Sequence, residues 1–73
     1  MSDYSDKLTS IMMEISKLFK DVDFEIREES ATFSLMDSNI HVYMNKVYID
    51  AIPIKEMAKI ICKEFIDGAY NDQ

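Results

Sequence analysis

One cysteine, one proline, one glycine and one histidine occur in this chain, and tryptophan is absent. Each scarcity closes a class of explanation. Cys62 forms no internal disulfide on its own, and with His41 it leaves too few soft ligands for a structural zinc site, so neither a stapled nor a metal-held fold is expected, and no cofactor. Apolar runs are short. None approaches the roughly 18 residues of a membrane span, and the start of the chain lacks the basic-then-apolar pattern of a leader, so a cytoplasmic protein, of the cell or of an infected host cell, is expected. Basic residues are also few: eight Lys and Arg against fourteen Asp and Glu give a net charge of −6. A phosphate backbone rewards clustered cations and repels carboxylates, so direct nucleic-acid binding is not expected and a basic protein surface is the more natural partner.

What is present is globular composition, 48% hydrophobic and 30% charged over 73 residues. That length holds one domain, and a chain so short buries only about 60% of the surface its unfolded form exposes. From Val22 to Ile52 apolar and polar residues alternate with turn formers between the runs, the signature of strands with one buried face. Val22, Phe24 and Ile26 alternate with Asp23, Glu25 and Arg27. After Glu28-Glu29-Ser30, Ala31, Phe33 and Leu35 alternate with Thr32 and Ser34. Asp37-Ser38-Asn39 is a turn cluster. Ile40, Val42 and Met44 then oppose His41 and Tyr43, and Asn45-Lys46 reads as a two-residue hairpin loop into a fourth strand, with Val47, Ile49 and Ala51 inward and Tyr48 and Asp50 outward. With even loop lengths the outer face carries two rows: Asp23, Ser34, His41, Asp50, and Glu25, Thr32, Tyr43, Tyr48.

Two helices flank this meander. The first starts near Asp3, with Asp6 in its first turn, and carries a stripe of Tyr4, Leu8, Ile11, Met12, Ile15, Leu18, Phe19 and Val22, ending around Lys20 or Asp21. The second is opened by Pro53, which needs no N–H at a first helical position, carries Ile54, Met57, Ala58, Ile61, Phe65 and Ala69 inward, and stops at Gly68, leaving 70–73 as a loose tail. Both stripes need an apolar partner and the sheet has one apolar face. The expectation is an α+β two-layer sandwich, α-β-β-β-β-α, a four-stranded antiparallel meander with both helices on one face.

Ser34, His41 and Asp50 share an outer row and are the residue types of a serine hydrolase. An open sheet offers neither oxyanion hole nor cleft, so the row is read as a solvated cross-strand pair and no enzyme is expected. The carboxylates Asp21, Asp23, Glu25, Glu28 and Glu29 crowd into nine residues with Arg27 as their one cation. Asp21, Asp23 and Glu25, two apart along an edge strand and so spaced every 6.4–6.8 Å or so, form a ladder that imitates a run of phosphates, or that serves the commoner purpose of keeping an edge from pairing with another sheet. Tyr43 and Tyr48, with Met13, Met36, Ile60 and Ile66 off the core faces, are interface materials. Lys55, Lys59 and Lys63 line up on the outer side of the second helix.

The helix, strands, closing helix and lysine row resemble, in architecture, the double-stranded-RNA-binding domain, whose last helix begins with a phosphate-gripping lysine cluster. The chain departs from that family: Glu56, Glu64 and Asp67 interrupt the row, the family's glycine-containing loops are missing, and a strand is added. By size, charge and element order it also resembles the small inhibitors that phages and mobile elements encode against host defences, anti-CRISPR proteins among them. That resemblance implies a stoichiometric inhibitor of a nucleic-acid-handling protein; the residues themselves point to a non-enzymatic, acidic nucleic-acid mimic, with the acidic stretch Asp21, Asp23, Glu25, Glu28 and Glu29 and the outer-face residues His41, Tyr43, Tyr48 and Asp50 expected as its contact residues. The alternative is a homodimer or larger homo-oligomer in a structural or regulatory role, antitoxin-like or chaperone-like.

Overall fold

The computed structural model describes residues 3–71. Helix α1 spans Asp3–Ser16, strands β1, β2 and β3 span Val22–Ile26, Ser30–Leu35 and Ile40–Asn45, and helices α2 and α3 span Lys46–Ala51 and Ile54–Asn71. The sheet is an antiparallel meander, β1-β2-β3. Its register pairs Phe24 with Phe33 and Ile26 with Ala31, then Phe33 with Val42 and Leu35 with Ile40. These are the pairings that the alternation implies, because a slip of one residue turns every apolar side chain to water.

The expected fourth strand is a helix, so the order is α-β-β-β-α-α. Two physical reasons account for this. A two-residue hairpin loop at Asn45-Lys46 requires either positive φ at both positions (type I′), which the lysine Cβ disfavours, or glycine at the first (type II′), where asparagine stands. As a helix the same residues place Lys46 Nζ 2.9 Å from Asp50 Oδ2 one turn away and 5.2 Å from the centroid of the Tyr4 ring. Only Ile49 of this segment is buried; Val47 is 77% exposed and Ala51 is exposed. Alternation over five residues is satisfied as well by a short helix with one inward residue as by a strand.

α1 stops at Ser16, four residues early. Its final turn tightens as Leu18 N–H donates to Ile15 O at 2.9 Å, and Phe19 N–H reaches the same carbonyl at 3.0 Å. That turn swings Leu18 out of the expected stripe to 73% exposure and brings Phe19 edge-on to Phe65, with ring centroids 5.4 Å apart. Pro53 O accepts from Met57 N–H at 2.9 Å, so the proline stands at the threshold of α3. Gly68 does not end α3: its φ is negative and the helix runs on to Asn71. It is glycine for closeness instead, since a Cβ there would lie 3.1 Å from Ile40 Cγ2. The backbone at 70 and 71 is therefore helical rather than a loose tail; the side chains of Ala69 to Asn71, and residues 72 and 73, lie outside the described part.

α1 and α3 pack side by side on the apolar face, α1 toward β1 and α3 along β3. The core holds Leu8, Ile11 and Ile15 of α1, Phe33 of β2, Ile49 of α2, and Met57, Ile61 and Phe65 of α3, all fully buried. Phe24 is only half-buried, stacked on Phe33 at 6.0 Å, because β1 is a sheet edge.

Candidate functional site

The opposite face of the sheet is left uncovered, and two rows cross it as the alternation implies. One runs Asp23, Ser34, His41 and the other Glu25, Thr32, Tyr43. Neither extends to a fourth member. Asp50 is not opposite His41 and Tyr48 is not opposite Tyr43, since both belong to α2. The Asp50 carboxylate pairs with Lys46 and its carbonyl accepts from Lys7 Nζ at 3.2 Å.

His41 is instead held between Ser34 Oγ, 2.8 Å from Nδ1, and Asn39 Oδ1, 3.2 Å from Nε2. A neutral imidazole satisfies both contacts by donating its Nε2 hydrogen to Asn39 and accepting the Ser34 hydroxyl hydrogen at Nδ1. Asn39 reaches that place because it takes the left-handed conformation, φ 54°, closing the single 3-10 turn Met36–Ser38; asparagine tolerates this backbone better than other side-chain-bearing residues. The third member of this chain is thus an amide, which cannot stabilise an imidazolium as a carboxylate does. Among the described residues no group of three or more His, Cys, Asp or Glu is placed to hold a metal ion, and no helix is long and apolar enough to cross a membrane.

All five carboxylates of the acidic stretch are exposed. Asp23 and Glu25 stand on the free face of β1, and Glu28 and Glu29 form the tip of the β1-β2 hairpin, closed where Arg27 N–H donates to Ser30 O at 2.8 Å. Arg27 lies 3.4 Å from Glu25, a pair so exposed that it contributes little. Asp23 has a second duty: its Oδ1 accepts the Phe24 N–H at 2.8 Å. That N–H faces away from β2, so the carboxylate seals a donor on the outer edge. Asp21 sits in the turn before β1 and adjoins Asp37, a member of the acidic cluster that sequence spacing did not reveal. The hydrogen bond and the charge of Asp21 hold the Asp37 carboxyl above its ordinary pKa.

A third feature lies on the helical layer. A groove of about 460 Å³ runs between the end of α1 and α3, lined by Glu14, Lys17, Leu18, Lys55, Ala58, Lys59, Cys62, Lys63 and Ile66. Its α3 bank is the lysine row seen in the sequence. The α1 bank leaves no trace in the sequence, where the periodicity puts Leu18 on the core stripe; the tightened turn after Ser16 brings it here. Family models, curated proteins and solved structures were all compared with this chain, and none matches it.

Proposed function

We propose that this chain is a non-enzymatic protein-binding module whose uncovered sheet face and acidic hairpin dock on a basic protein surface, in the manner of a stoichiometric inhibitor of a nucleic-acid-handling protein. The observation that carries the reading is co-facial placement. Asp23 and Glu25 share one open sheet face with His41 and the 64% exposed Tyr43, and Glu28 and Glu29 extend that negative surface beyond the hairpin tip. Aromatic anchors beside steering charge are what fast, specific protein association uses.

The test replaces Glu25, Glu28 and Glu29 with Lys, sparing Asp23 because it seals the Phe24 N–H. Partners captured from host lysate are identified by mass spectrometry and titrated against both proteins at about 0.1 M and 1 M salt, between which the screening length falls from about 10 Å to about 3 Å. Loss of binding in the variant, weaker binding of the parent at high salt, and competition by nucleic acid are expected. Equal affinity of parent and variant at both salt concentrations would exclude the mimic.

One observation favours a homo-oligomer as second reading. Lys46 N–H donates to Glu29 O across the ladder, and because bonded pairs alternate along an antiparallel ladder, the N–H and C=O groups of His41, Tyr43 and Asn45 point away from β2. β3 carries no charged residue, unlike β1. Such an edge is a template for a second copy. Equilibrium sedimentation decides: a dimer that Tyr43→Lys converts to monomer supports this reading, and a monomeric parent at millimolar concentration removes it.

A further inference from the structure

We infer that the groove between α1 and α3 is a docking site for an acidic amphipathic helix of a partner protein. This inference stands apart from the free sheet face, being on the other layer of the fold and of opposite charge.

Charge complementarity is the first argument. Four of the eight basic residues in a chain of net charge −6 surround this one groove. Lys17 is engaged with Glu14 at 3.1 Å, whereas among the described residues Lys55, Lys59 and Lys63 form no ion pair. Uncompensated cations gathered on an acidic protein mark a place where carboxylates are brought by something else. Their spacing indicates the shape of that partner. Three lysines at four-residue steps extend about 12 Å along α3 at 1.5 Å per residue, and carboxylates at matching four-residue steps on a helix lying alongside meet them in turn.

The floor supplies the second argument. Ala58 and Cys62 are buried beneath it, while Leu18 and Ile66 stand 73% and 47% exposed at its sides. Burial pushes the Cys62 thiol upward, so at neutral pH it is an uncharged, apolar floor element. With Leu18 and Ile66 standing exposed at its sides the groove does not wrap round a small molecule, which is usually 70–90% buried or more. An apolar floor of Ala58 and Cys62 gives a phosphate backbone nothing to bind, whereas it receives the apolar stripe of an amphipathic helix. Apolar side chains at the bottom of a groove with charges along its bank are the features that receive one face of a helix.

The experiment selects from a display library of 18-residue helical peptides, randomised over one face, against the full chain. Enriched peptides should combine an apolar stripe with a row of Asp or Glu at four-residue steps, and should shift the NMR signals of Leu18, Lys59, Cys62 and Ile66. Lys55→Glu with Lys59→Glu should weaken them at least 10-fold, and Leu18→Ser likewise; all three side chains are exposed, and an unchanged amide spectrum elsewhere establishes that each variant is folded. Enrichment of neutral or basic peptides, retained affinity for the charge-reversed variant, or no groove binder at all would overturn the inference. So would dodecanoate or a 20-base-pair RNA duplex perturbing these same signals when no acidic peptide does.

Discussion

Among the described residues the Tyr4 hydroxyl is the one buried side-chain oxygen or nitrogen without a partner: it is shut from solvent and makes no hydrogen bond. Burial pushes its phenol pKa upward, opposed chiefly by the nearby Lys46 charge. An unpaired buried hydroxyl costs roughly 1–3 kcal/mol, and phenylalanine keeps the ring under the Lys46 ammonium. Tyr4→Phe is therefore expected to leave stability unchanged or raise it by up to about 1 kcal/mol in urea denaturation; a loss larger than that would mean the hydroxyl is bonded in solution. Asp37 gives a pH-dependent counterpart. Its folded pKa lies above the ordinary 3.8 because Asp21 shares a hydrogen bond with it and repels its charge. The folded state holds that proton more tightly, so this contribution to stability is full below the ordinary value and is lost as pH rises through the raised one. Carboxyl-carbon NMR titration should place Asp37 above 3.8 in the parent and return it toward 3.8 in Asp21→Asn. No change between the two proteins would leave the shift without its proposed cause.

At the scale of elements, α3 approaches β3 closely where Gly68 faces Ile40. Glycine inside a helix ordinarily weakens it by about 1 kcal/mol relative to alanine, so its presence is explained by space rather than propensity. Gly68→Val forces two methyl groups into that contact, and overpacking of this kind costs typically 1–3 kcal/mol. Trimming the opposing side chain in Gly68→Val with Ile40→Ala should restore part of the loss. Additive effects of the two substitutions in a thermal-melt cycle would show that they do not touch. α2 shows the opposite balance: six residues with one buried side chain, held by Lys46–Asp50, the Lys46–Tyr4 contact and the Lys7 bond to the Asp50 carbonyl. Each of those partners lies far along the chain or depends on the helix already being formed, which is why strand and helix could not be told apart locally.

On the scale of the whole molecule, one cluster joins all three helices to the sheet, and Phe33 is at its centre, fully buried against Phe24. Phe33→Ala should cost about 3–5 kcal/mol, much of the 5–15 kcal/mol typical of a domain. The helix signal and near-ultraviolet aromatic signal should then melt together at a lower temperature; an unchanged midpoint would displace the core from Phe33. Opposite the exposed lysine row that rims the groove between α1 and α3 stands the acidic sheet face, a local separation of charge that is invisible in the net value of −6. Periodicity alone established the α+β class, the register among the first three of the four expected strands, and most of the inward faces of α1 and α3, because burial imposes periods of two and 3.6 along an element. Tertiary structure alone decided the fate of 46–51, the early end of α1, the role of Gly68, the Ser34–His41–Asn39 chain and the lysine-rimmed groove. Each of these turns on a contact between residues distant in the chain or on one backbone bend, and neither leaves a periodic trace.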